Sequence, residues 1–64
     1  MELPQKIESI LFYKAEPVSI QRLGKMVDEK ESAVCEALEI LAEQLQGRGV
    51  VLIQNDTTVM LGTH

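Results

Sequence analysis

The residues of this 64-residue chain whose types invite chemistry are few: Cys35, His64, three regularly spaced glutamates and the Gly47-Arg48-Gly49 triplet. Nucleophilic catalysis needs a thiol or hydroxyl beside a base and a group that orients the base. The single histidine closes the chain, where nothing fixes it. Cys35 falls beside the core stripe of a predicted helix, where a free cysteine is ordinarily a small hydrophobe. As the sole cysteine it has no disulfide partner within the chain, and no second Cys with His stands at zinc-ligand spacing. Glu36, Glu39 and Glu43 fall at i, i+3 and i+7, one helical stripe that would suit a hard cation only beside an oxygen-rich loop; without one they read as a solvated face. Gly47-Arg48-Gly49 follows a helical pattern, whereas phosphate-binding glycine loops precede a helix, so it reads as a cap and a tight turn. Met26 and Met60 read as gap-fillers or interface residues. The expectation is a chain with no catalytic residues, no cofactor and no metal.

Composition agrees with a small folded module. The chain is 45% hydrophobic and 25% charged, without tryptophan, which is the balance of a globule and not of a disordered tail. A domain of this length buries only about 60% of its unfolded surface, too little for an active site cut into a large core. Ten acids against six bases give a net charge of -4, which opposes attraction to phosphates or anionic lipid and favours a protein partner. No apolar run approaches the roughly 18 residues of a membrane span, and the cysteine usage fits a cytoplasmic setting. The chain stops soon after Leu61, so residues 1–64 are expected to form a single domain, the N-terminal fragment of a longer protein.

The elements follow from period and punctuation. Pro4 suits a first helical turn, and Leu3, Ile7, Ile10, Leu11 and Lys14 recur at helical spacing, predicting a helix over 4–14. Pro17 drives Glu16 out of helical geometry, so Glu16-Pro17-Val18 should be extended, with Ser19 the N-cap of a short second helix. Gly24 weakens that helix by roughly 1 kcal/mol against alanine unless a neighbour needs close approach there. Asp28 with Glu31 has capping-box spacing, with Asp in place of the usual Ser or Thr, predicting that the third helix starts near there. Val34, Leu38, Leu41 and Leu45 carry it to about Gln46, with Gly47 as a left-handed cap. Two apolar runs, from Val50 to Gln54 and from Thr57 to Thr63, flank Asn55-Asp56 as a hairpin.

Three helices closed by a hairpin is the order of an α+β winged helix-turn-helix with a two-stranded C-terminal wing. The predicted helical core draws on Ile7, Ile10, Leu11, Val18, Ile20, Leu23, Val27, Val34, Leu38, Leu41 and Leu45. Strand alternation has two solutions; the one consistent with the family resemblance given below points Val50, Leu52, Val59 and Leu61 inward, leaving Val51, Ile53 and Met60 outside. With Phe12, which stands off the core stripe of the first helix, these are the candidate self-association or partner residues. The third helix of this fold commonly enters the DNA major groove. From Asp28 to Gln46, however, one base against six acids leaves -5, and phosphates flanking the groove would repel it. Specific DNA binding is not expected, which weighs against the rival reading of a transcription regulator.

The run from Ile7 to Ser19, I-E-S-I-L-F-Y-K-A-E-P-V-S, resembles the opening of segregation and condensation protein B, roughly I-E-A-L-L-F, a short loop and E-P-V-S. Val34 with Glu36 to Leu41 is similar to that family's V-x-x-A-L-x-x-L helix. Gly47 to Val50 and Val59 to Thr63 resemble its G-R-G strand and closing L-V-T, with Gly62 standing where a β-branched residue is commoner. The resemblance implies a non-enzymatic accessory subunit of the bacterial SMC-kleisin condensin complex, acting in chromosome condensation and segregation during the cell cycle. It further implies a nucleoid-associated homodimer that binds the kleisin subunit (segregation and condensation protein A) and, through it, the SMC ATPase. A stray interaction module unrelated to condensin is the other alternative.

Overall fold

The computed structural model describes residues 2–63, which form α1 (Leu3–Lys14), β1 (Val18–Ser19), α2 (Ile20–Val27), α3 (Glu31–Gln44), β2 (Val50–Gln54) and β3 (Thr58–Thr63). The architecture is the α+β winged helix-turn-helix expected, with one addition. The sheet has three strands in the order β1-β3-β2, both pairings antiparallel. Val18 and Ser19 pair with Val59 and Thr58, so the segment after Pro17 is a short edge strand as well as a connector.

Ser19 holds a double post. It ends β1, and its hydroxyl accepts the Arg22 N–H at 3.0 Å as the N-cap of α2, satisfying a donor that the helix cannot satisfy itself. The Ile20 N–H meanwhile donates to the Thr57 carbonyl at 2.9 Å. Sheet and helix therefore meet without an intervening loop.

Asp28 does not cap α3. It takes a left-handed conformation (φ 58°) at the end of α2, where its N–H donates to the Lys25 carbonyl and the Glu29 N–H to the Gly24 carbonyl at 2.8 Å. These 5→2 and 6→1 bonds make a Schellman turn, and aspartate tolerates the left-handed conformation better than most residues. Capping-box spacing was present, but the turn claimed Asp28 first; α3 begins three residues later behind Lys30, which makes no side-chain cap. The same turn accounts for Gly24. A Cβ there would stand 2.7 Å from the Glu29 carbonyl oxygen, so the close neighbour is turn backbone. At its other end α3 stops at Gln44, two residues short of expectation, and Gly47 and Gly49 both have positive φ in the turn leading to β2.

The core comprises Ile7, Leu11, Val18, Ile20, Leu23, Val34, Ala37, Leu38, Leu41, Leu45 and Val59, with Ile10 and Val27 only partly buried against it. Ala37 joins the stripe of α3, whereas Cys35 is exposed and not the small core hydrophobe expected. The 3.9 Å pair of Arg48 with Glu8 leans the α3–β2 turn on α1; partly exposed, it contributes on the order of 0–1 kcal/mol.

Candidate interaction surface

The register of the hairpin decides which residues the wing offers. Val50 pairs with Thr63, Val51 with Gly62, Leu52 with Leu61, and Ile53 with Met60. Directly opposed residues share a face, so Val50, Leu52, Val59 and Leu61 turn to the core and Val51, Ile53, Met60 and Gly62 turn away from it. Burial agrees, with Val59 fully buried and Ile53 45% exposed. Val51 and Met60 are half-buried although nothing covers this face, because they pack beside Ile53. A Cβ on Gly62 would collide with Cδ1 of Ile53 and stand 3.2 Å from its Cγ1. Glycine thus lets the isoleucine lie flat across the strand, and so shapes the face.

Phe12 is 79% exposed near the C-terminus of α1. It flanks a groove of about 210 Å³ whose other walls include Ala15, Leu61, Gly62 and Thr63. Leu11 and Val50 also line it, and like Leu61 they turn to the core, so the groove of Phe12 lies between α1 and the core side of the wing's end. The four candidate residues therefore divide into three on the outer sheet face and one on α1. Tyr13, 85% exposed on the same helix, was missed, although the core stripe that expels Phe12 also expels its neighbour. Ile40, 46% exposed on α3, was likewise passed over because the leucine stripe drew the reading inward.

Helix α3 gives a second kind of surface. It carries Glu31, Glu36, Glu39 and Glu43, all exposed, and no lysine or arginine. Among the described residues no group of three His, Cys, Asp or Glu side chains converges as a metal site would require, so the glutamate stripe stays dispersed. Among the described residues no helix is long and apolar enough to cross a membrane.

No curated protein and no solved structure matches the chain. A family model described as segregation and condensation complex subunit ScpB does match, over residues 5–64. That span takes in all three helices apart from the first two residues of α1, the added strand and the whole wing, and it follows that the chain belongs to the ScpB family, accessory subunits of a complex for chromosome segregation and condensation.

Proposed function

We propose that this chain works without catalysis, self-associating through the outer face of its wing and binding the kleisin subunit, segregation and condensation protein A, through which it meets the SMC ATPase in the cytoplasm at the nucleoid. The observation that carries the self-association is the apolar wing face of Val51, Ile53 and Met60, with Phe12, exposed on α1, as the fourth candidate. A face of a small domain that ought to be solvated is instead hydrophobic, and contiguous apolar surface of that kind marks contact. A two-fold contact would use each side chain twice. Full burial of one such side chain is worth roughly 1.5 to 3 kcal/mol. Repeated across a two-fold axis, that is enough to offset an association cost of about 4 to 15 kcal/mol at its lower end. Repulsion between two chains of charge -4 is screened beyond about 8 Å at physiological salt, so the apolar contact outweighs it.

Sedimentation equilibrium of the wild type beside Ile53→Asp tests the reading. The wild type is expected to dimerise by about 100 micromolar, a standard free energy near -5 kcal/mol, and the aspartate variant to stay monomeric. A monomeric wild type, or a dimer indifferent to the aspartate, removes the wing from the interface.

A further inference from the structure

The two edges of the sheet are not protected alike. β1 is two residues long and follows Pro17, and shortness and proline are both devices that keep an edge from recruiting another strand. β2 at the opposite edge has neither. Its sequence Val-Val-Leu-Ile-Gln holds no charge and no proline, and its register against β3 runs unbroken from Val50 to Gln54 without a bulge.

Hydrogen-bond parity shows which groups that edge presents. The Asn55 N–H donates to the Thr58 carbonyl at 2.9 Å, which makes this opposed pair a bonded one. Alternation along an antiparallel ladder then makes Ile53–Met60 and Val51–Gly62 bonded pairs too. The backbone N–H and C=O groups of Val50, Leu52 and Gln54 consequently point away from β3. They have no backbone partner among the described residues. Alongside them runs an open groove of about 580 Å³, walled by Ala42, Leu45 and Gln46 of the α3 end on one side and by Val50, Val51 and Leu52 on the other.

Charge selects the occupant. Glu39, exposed on α3, stands one helical turn before the wall residue Ala42 and Glu43 follows Ala42 directly, so two carboxylates stand next to that wall, while Arg48, between the wall residues Gly47 and Gly49, is turned to Glu8. A second copy pairing β2 with β2 would bring two such walls together, acid against acid. An extended segment with alternating apolar and basic residues would instead place its backbone on the edge, its apolar side chains in the groove and its cations near Glu39 and Glu43. We propose that the β2 edge is a strand-addition site for a basic, apolar-alternating segment of a partner protein, a mode in which main-chain bonds give affinity and alternate side chains give specificity. The site shares Val51 with the wing contact but makes no use of the Ile53 side chain, so Ile53→Asp should leave it intact.

The test uses the full 64-residue chain and a labelled, end-capped heptapeptide alternating lysine with valine. Binding is read by anisotropy and by amide exchange in NMR. The peptide is expected to bind and to slow exchange at Val50, Leu52 and Gln54, while Val51 and Ile53, already bonded to β3, change little. Affinity should fall at least tenfold with glutamate in place of lysine in the peptide, with N-methylation of its alternate amides, and in Ala42→Arg, which fills the groove from an exposed helical position. Equal binding of the N-methylated peptide would reduce the effect to surface charge and overturn the proposal, as would absence of binding. A self-association that Ala42→Arg abolishes would make the occupant a second copy and overturn it equally.

Discussion

Ile53 lies across Gly62, on the strand beside its own, because position 62 has no side chain to hold it off. The pair is diagonal in the ladder, since Gly62 is opposite Val51 and Ile53 is opposite Met60. A β-branched residue at position 62 would leave isoleucine no room in this rotamer.

Gly62→Val is therefore expected to destabilise the domain by about 1 to 3 kcal/mol, the usual range for overpacking. In Gly62→Val/Ile53→Ala much of the loss should return. A double-mutant cycle from chemical denaturation measures this, and a coupling of roughly 0.5 kcal/mol or more is expected for side chains in contact. Simple additivity would mean that the two do not meet in solution.

Gly24→Ala sets helix propensity against geometry. Alanine gains about 1 kcal/mol in a helix interior, but its Cβ would stand 2.7 Å from the Glu29 carbonyl oxygen. That oxygen cannot swing away cheaply, because the same residue's N–H is bonded to the Gly24 carbonyl at 2.8 Å. The clash should win, and the melting temperature should fall. A rise would show that the turn between α2 and α3 gives way.

Leu38→Ala removes a side chain that is 1% exposed at the centre of the α3 stripe. Cavity-forming changes of this type cost about 2 to 5 kcal/mol, a large share of what a domain this small has in reserve. Loss of the cooperative thermal transition at 37 °C or below (physiological temperature, roughly 15 °C under a typical small-domain midpoint) is expected, read by circular dichroism; an unchanged midpoint would contradict the assigned core.

The acidic helix bears on DNA. At physiological salt the domain should show no binding to random or genomic duplexes tighter than about 100 micromolar by anisotropy, the weak end of non-specific affinity. A sub-micromolar complex that responds to Glu39→Lys would return α3 to the groove.

Much of the fold was legible because local signals agreed. Pro4, the Ser19 cap and the Val34–Leu38–Leu41–Leu45 stripe each did in the structure what their chemistry requires. The errors lie where two local readings compete or where the deciding contact is distant. Asp28 could open α3 or close α2, and only the backbone path to Glu29 chose between them. Val18 and Ser19 became a strand through Val59 and Thr58, some 40 residues away, which a two-residue run beside a proline does not announce. Ala37 is small enough to vanish beside the leucines of its helix, and Cys35, one position from buried Val34, turns outward by a single helical step. On the surface, alternation left two faces open and only the family resemblance chose the one that exposes Val51, Ile53 and Met60, while the unprotected edge of β2 required the sheet order, which no single strand encodes.

The double post of Ser19 has a mechanical meaning. Where a loop joins sheet to helix, a pull on one is first absorbed by straightening the loop. Here strand and cap are one residue, and the next residue's N–H is itself tied to the wing at Thr57. A tug on the hairpin reaches α2 with no slack to take up, so the domain should transmit tension as a stiff block and yield all at once, a useful trait for a subunit of a machine that handles chromosomes.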